Sequence, residues 1–315
     1  MPIKNTAIRI AVIGVGYLGR HHARILSELP DVNLVSVVDV NKERAKIVAA
    51  ETNSRAETDS ERLLGDIDAV ILAVPTKAHR SVSLPFLRQG IPVLVEKPIA
   101  TSVKEADEMI SEAANNRTIL AVGHTERYNP AVVVALPLID EPKFIEVHRL
   151  STFQPRSLDI DVVFDLMIHD LDVLLSTVKS QPVSIEAVGV SVLSERIDIA
   201  NARIRFNNGC IANLTASRIS REQIRKLRFF QKSAYISVDC AAQQVEAWSV
   251  TQRPQVKTEI KGGQLKVPKG EPLKQELLDF ISAVRTGRCP GVDGKDGRRS
   301  LALAQKVAEA IKDVR

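Results

Sequence analysis

The chain is poor in aromatic residues: they make up 4% of its 315 positions, with one Trp and three Tyr. Proteins that stack bases need such side chains, and no zinc-finger or RNA-binding signature occurs either. Nor is charge of one sign concentrated. Lys and Arg number 43 against 38 Asp and Glu and are spread along the sequence. Nucleic acid is therefore not the expected partner, whereas a net charge of +5 suits a small anionic ligand. Cysteine is scarce too: Cys210, Cys240 and Cys289 are odd in number and show no C-x-x-C spacing. They argue against a disulfide scaffold or a zinc site and fit a reducing cytoplasm. Long apolar runs are missing. The first is preceded by Arg9 and broken by Gly14 and Gly16, so neither a signal peptide nor a membrane span is expected.

What is present is a change of grammar near residue 123. Before it, apolar runs at Ile8–Ile13, Leu34–Val38, Ala69–Val74, Val93–Val95 and Ile119–Val122 alternate with helical patterns. That alternation predicts an α/β unit with a parallel sheet wrapped by helices over residues 1–123. After it come runs such as Phe144–Leu150, Val183–Val192, Ala202–Phe206, Ile211–Ser217, Arg225–Phe230 and Ala234–Val238. Several alternate polar with apolar residues, and Asn207-Asn208-Gly209 reads as a hairpin turn. One helix near Val163–Thr177 interrupts them, and helices near Leu273–Arg285 and Arg298–Asp313 finish the chain. Residues 124–315 are thus expected to form an α+β domain with a mainly antiparallel sheet, its last helices free to pack back on the first domain. A chain of this length is also long for one core.

Gly14-Val15-Gly16-Tyr17-Leu18-Gly19 matches G-x-G-x-x-G. It follows a strand and opens a helix, and Asp39 ends the next strand twenty residues after Gly19. In that context it is the fingerprint of a Rossmann dinucleotide site. Gly14 permits the tight turn, Gly16 lets backbone approach a pyrophosphate, and Gly19 lets helix and strand pack. Asp39 should accept hydrogen bonds from a ribose diol and repel a 2′-phosphate, which favours NAD over NADP. Lys42 and Arg44 nearby read as solvated helix residues.

Ligands of such sheets lie at the carboxyl ends of strands. Val74-Pro75-Thr76 and Glu96-Lys97-Pro98 fall there. Pro98 biases Lys97 away from helical torsions, and a lysine beside a nicotinamide can polarise a hydroxyl. Farther on, FDLMIHDLDVLL places Asp165 and His169 four residues apart, on one helical face. Histidine is the side chain best matched to proton transfer near neutral pH. A structural i,i+4 pair is the competing reading, with Asp170 and Asp172 as solvated acids. A metal site there would lack a third ligand.

GVGYLG at 14–19, AVPT at 73–76, EKP at 96–98, RYNPA at 127–131 and D-x-x-x-H at 165–169 together resemble the Gfo/Idh/MocA oxidoreductases. The resemblance implies a Rossmann domain, an open-faced sheet domain, a nicotinamide cofactor, and hydride transfer from a sugar or polyol carbon. It assigns Lys97, Asp165 and His169 to catalysis and brings His79 near the nicotinamide ribose. It also implies a homodimer or homotetramer that buries the sheet face. The stretches 123–132, 157–175 and 225–239 look most like the branch acting on UDP-N-acetylglucosamine, a nucleotide sugar oxidised there at carbon 3. Arg127, Arg149, Arg156, Lys226 and Arg228 are then the cations on offer to its diphosphate, and Tyr128 and Asn129 are further substrate contacts. Two alternatives remain at this point. One is a simple-sugar or inositol dehydrogenase; the other is a catalytically silent NAD-binding protein.

Overall fold

Five short apolar runs and one polar triplet pair as parallel strands in the computed structural model, which describes residues 7–154, 160–251 and 259–312. They are β1 (Ile8–Ile13), β2 (Val32–Val38), β3 (Arg55–Glu57), β4 (Ala69–Leu72), β5 (Val93–Glu96) and β6 (Leu120–Gly123). Between them run α1 (Tyr17–Glu28), α2 (Lys42–Thr52), α3 (Thr76–Arg88) and α4 (Val103–Asn115). The spatial order is β3-β2-β1-β4-β5-β6. Every residue of β4, β5 and β6 is buried, as a parallel sheet covered on both faces requires. The strand order reverses between β1 and β4, where a doubly wound sheet opens a crevice at its carboxyl edge.

Local chemistry sets where these helices begin. The Asn41 side chain accepts from the Arg44 amide at 3.0 Å to start α2, and Ser102 does the same for Glu105 at 3.2 Å to start α4. Helix α3 starts at Thr76, with Pro75 at its N-cap three residues after β4 ends. Strand β3 was not foreseen: three residues, two of them exposed, carry no readable periodicity.

The chain divides into two compact units. The first runs to His124 and takes in Leu273–Leu301; the second is Thr125–Pro272 with the chain from Ala302 onward. Residues 124–315 are therefore not one contiguous domain. Leu277, Phe280 and Ile281 explain why, since they join Ile10, Val12, Ile25 and Ile71 in the first unit's core.

The second unit contains α5 (Pro130–Ala135), β7 (Phe144–Leu150), α6 (Ile168–Thr177) and β8 (Pro182–Val190). Then follow β9 (Ile199–Phe206), β10 (Ile211–Ser217), β11 (Ile224–Phe230), β12 (Ala234–Asp239), β13 (Gln244–Thr251) and β14 (Glu259–Leu265). Helices α7 (Pro272–Thr286) and α8 (Gly294–Lys312) end the described chain. The eight strands form one sheet in the order β14-β13-β12-β11-β7-β10-β9-β8, antiparallel except where β7 lies parallel to β10. Alternation decides its two faces. Ala200, Ala202, Ile204 and Phe206 of β9 enter the core with Met167, Leu171 and Leu174, while Asn201, Arg203 and Arg205 face out. The outward face is not bare hydrocarbon. Arg228 donates to Glu146 at 2.7 Å, Arg203 to Asn213 at 3.1 Å, and Asn201 to Thr215 at 2.9 Å. Phe144, Phe230 and Tyr235 cluster at one end. Among the described residues no helix is long and apolar enough to cross a membrane.

A Cβ at Gly19 would lie 1.7 Å from the Gly14 carbonyl oxygen. The obstacle is backbone and cannot rotate away. Gly19→Ala is therefore expected to lower the unfolding free energy by at least ~3 kcal/mol, the upper range for overpacking, as measured by urea denaturation.

Candidate active site

The glycine turn has the geometry its sequence demands. Gly14 adopts φ +82°, and a Cβ there would meet the Ala73 carbonyl at 2.7 Å. Gly16 heads α1 with no atom within 4 Å of where its Cβ would be, which leaves a backbone cradle open to a ligand. Tyr17 and Leu18 are exposed on the first turn. Asp39 is tied to this turn, its Oδ2 accepting the Val15 amide at 3.0 Å and its Oδ1 the Asn41 amide at 2.8 Å. Arg44 is an exposed residue of α2, as expected, but it is also paired. Its guanidinium grips the same carboxylate through Nε at 2.9 Å and a second nitrogen at 2.8 Å. Burial pushes the Asp39 carboxyl up, but Arg44 and the two amides outweigh it and hold it below the usual range.

At the end of β5 the carboxylate of Glu96 is buried. Its Oε1 lies 2.8 Å from Nε2 of His22, itself wholly buried on α1, and its Oε2 accepts the Lys97 amide at 3.2 Å. Lys97 is half-buried and its bond to Pro98 is cis. His79 is buried, with Nδ1 2.9 Å from the Pro98 carbonyl and Nε2 2.9 Å from that of Val74. His79 therefore sits between the Val74-Pro75-Thr76 turn and the Lys97–Pro98 turn, with a backbone carbonyl at each ring nitrogen.

In the second unit Asp165 lies in a π-helical turn, Val163–Met167, that leads directly into α6 and His169. The expected single α-helix is thus widened by one turn of a type common at functional sites. Both side chains are half-buried. Asp170 and Asp172 are not solvated but buried. Asp170 takes a bidentate grip from Arg149 at 2.7 and 2.8 Å, and Asp172 lies 3.6 Å from Arg127. Glu126 completes this group, 3.3 Å from Arg149 and 4.0 Å from Arg225. The two carboxylates hold the Arg149 pKa well above its ordinary value despite burial.

Among the described residues, Arg149, Lys226 and Arg228 do not share one face of the sheet. In β7, Arg149 shares the inward face with Ile145 and Val147, whereas Lys226 and Arg228 pair with His148 and Glu146 on the outward face. Arg149 is committed to Asp170, Arg228 to Glu146, and Lys226 lies 3.5 Å from Asp239. Arg127 and Tyr128 sit on a 3-10 turn, Thr125–Tyr128. Asn129 is buried and caps α5, its Oδ1 accepting the Ala131 amide at 3.1 Å while its amide donates to the Cys240 carbonyl at 3.0 Å. These two bonds give Asn129 a structural role at the start of α5. Arg156 lies outside the described residues. Among the described residues no group of three His, Cys, Asp or Glu side chains could hold a metal ion.

An NAD dinucleotide fits the first unit. Gly16 leaves room for a pyrophosphate at the head of α1, and Asp39 stands at the neighbouring strand end.

Two outcomes test this charge network. Burial pushes the Glu96 carboxyl up, but His22 and Lys97 outweigh it and hold it below its ordinary 4.5. A depressed folded pKa means that its stabilisation is complete above pH 4.5 and is lost as pH falls below it. Glu96→Gln should flatten the fall in urea-measured stability between pH 5 and 3. Arg149→Met should cost about 3–5 kcal/mol by stranding Asp170, and adding Asp170→Leu should recover most of it.

Comparison with known proteins agrees with this layout. The model of the oxidoreductase family with an NAD-binding Rossmann fold matches residues 8–124, and the GFO/IDH/MocA C-terminal domain matches 142–236. UDP-N-acetylglucosamine 3-dehydrogenase of Acidithiobacillus ferrooxidans is 39% identical over 96% of this chain and 97% of its own. A solved structure of that enzyme superposes with TM-score 0.91 at 38% identity, covering 97% of this chain and 98% of its own. Inositol 2-dehydrogenase of Rhizobium meliloti is 25% identical over 98% of both chains. The chain belongs to the Gfo/Idh/MocA family of oxidoreductases, and its first unit is that family's NAD-binding Rossmann fold.

Proposed function

We propose that the protein oxidises carbon 3 of UDP-N-acetylglucosamine to the 3-keto sugar with NAD. The observation that carries this reading is end-to-end similarity to the Acidithiobacillus enzyme at 39% identity, against 25% for the inositol 2-dehydrogenase. Specificity for a nucleotide sugar also suits the basic chain, with its net charge of +5.

Oxidation of a secondary alcohol removes a proton from oxygen and a hydrogen with its electron pair from carbon. The nicotinamide, when bound, supplies the acceptor for that hydrogen. The chain's own residues manage the proton. His169 accepts it from the hydroxyl, Asp165 orients and tunes the imidazole, and the Lys97 ammonium donates a hydrogen bond to the same oxygen as negative charge develops. Gly14, Gly16, Tyr17, Leu18, Gly19 and Asp39 hold the pyrophosphate and ribose, with Val74, Pro75, Thr76 and Glu96 at the adjoining strand ends. Arg127 and Tyr128 are the substrate contacts assigned outside the catalytic set. The 3-keto product is suited to transamination in a lipid A-type pathway, in the cytoplasm. The outward sheet face, with Phe144, Phe230 and Tyr235, is the surface assigned to a homodimer or homotetramer.

Reduction of NAD followed at 340 nm tests the reading. Turnover is expected with UDP-N-acetylglucosamine and not with myo-inositol, glucose or free N-acetylglucosamine; turnover of a free polyol alone would overturn it. His169→Ala should lower kcat about 10²–10⁴-fold, the usual worth of a general base, and remove the limb of the pH–rate profile that reports its deprotonation. Lys97→Ala should lower kcat about 10²-fold. Unchanged turnover in either variant refutes the role given to that residue.

A further inference from the structure

A second buried ion pair lies in the sheet unit, apart from the one at Arg149. Between β8 and β9 the chain turns back at Asp198, which is wholly buried. Its Oδ2 accepts the amides of Val192, Leu193 and Ser194 at 2.8, 2.7 and 3.0 Å. Its Oδ1 accepts the Ser194 hydroxyl at 2.7 Å and Nε of Arg218 at 2.8 Å. Burial pushes this carboxyl up, but the amides, the hydroxyl and Arg218 hold it far below the usual range, so it stays ionised at any assay pH. Arg218, also buried, spends its other nitrogens on the Ser194 hydroxyl at 3.0 Å and on the Ile160 carbonyl at 2.7 Å.

Ile160 stands just ahead of the turn that carries Asp165. From it a short series of hydrogen bonds runs into that turn. The Asp161 carboxylate accepts the Ile197 amide at 3.0 Å, and the Val162 amide donates to the Ile197 carbonyl at 2.9 Å. The Asp161 carbonyl in turn accepts the amides of Phe164 and Asp165 at 3.0 and 3.1 Å. Three residues, 160 to 162, are thereby fixed to the Asp198 loop from both side chain and backbone.

The consequence follows from helix geometry. A π-turn holds one residue more than an α-turn, and sustained π-helix is rare. If residues 160–162 were free, Val163–Met167 would relax toward α-helical winding. Residues on its amino-terminal side would then rotate by about 100° relative to α6, the angle one residue subtends. Asp165, inside the turn, would take up part of that rotation and shift sideways relative to His169, four residues on. We propose that Asp198 and Arg218 are positioning residues for the Asp165–His169 pair: they clamp residues 160–162 and so keep the π-turn wound. This rests on the reading above that His169 and Asp165 manage the substrate proton. Neither Asp198 nor Arg218 touches substrate in this scheme.

The test uses the full-length protein with Arg218→Met and Arg218→Lys, the latter keeping the charge but not the fork that reaches both Asp198 and Ile160. Hydrogen–deuterium exchange should rise at least tenfold in peptides spanning 160–169 and stay unchanged in peptides spanning 8–28. The dissociation constant for NAD, by calorimetry, should stay within twofold, since the residues assigned to it belong to the other unit. kcat with UDP-N-acetylglucosamine should fall about 10–10²-fold with a smaller change in KM. If Arg218→Met does not fold, Asp198→Asn carries the same expectations. Unchanged exchange over 160–169 overturns the clamp. Faster exchange with unchanged kcat overturns the positioning role if His169→Ala still abolishes turnover. If His169→Ala is also fully active, it is the proton-transfer reading that has failed.

Discussion

One carboxylate joins the parts of the cofactor unit that chemistry needs. Glu96 ends a strand whose other residues are Val93, Leu94 and Val95, so it is buried with them. A buried charge must be paired and hydrogen-bonded, and here the partners are His22 and the Lys97 amide. His22 sits on the helix that the glycine turn opens; Lys97 begins the next turn. A Cβ on Gly123, at the end of β6, would come within 3.1 Å of the same carboxylate. Helix α1, the lysine turn and the edge of β6 therefore share one anchor, and none can shift without uncovering it. His79 does related work one turn away. Burial holds its pKa below the ordinary value, and a neutral imidazole donates to only one of the carbonyls of Val74 and Pro98 at a time.

Much of this unit was legible because it is local. A glycine turn after an apolar strand and an acid at the end of the next strand are set within forty residues, and each has one geometry that suits it. His22 was legible in principle: it lies three residues after Gly19 and shares the inward face with Ala23, Ile25 and Leu26. The packing of Leu277, Phe280 and Ile281 with β1 and β4 was not. Nothing in a helix's periodicity says which distant core its apolar stripe will meet, so the sequence leaves the last helices free to pack on either domain.

The sheet unit shows a different kind of miss, one that the period-2 rule already forbade. FIEVHRL puts Arg149 on the face of Ile145 and Val147, so it was never available beside Lys226 and Arg228. In the same way α6 is apolar around most of its circumference, with Ile168, Leu171, Val173 and Leu174 all buried. Acids on such a helix must be buried too and must find cations. Asn129-Pro130 spelled a helix cap, with Pro at the first helical position. In each case side-chain type suggested a ligand, while backbone position determined a structural partner.

That contrast bears on why the unit keeps so many buried charges. Replacing a buried ion pair by hydrocarbon often costs no stability, so strength alone does not account for Arg149 with Asp170 or Arg218 with Asp198. Apolar packing tolerates small rotations and slips of a helix on a sheet; a bidentate guanidinium does not, because its fork matches a carboxylate in one orientation. Both pairs bear on the segment that carries Asp165 and His169, one at Asp170 beside the histidine and one at Ile160 ahead of the π-turn. What such pairs give that segment is a single register.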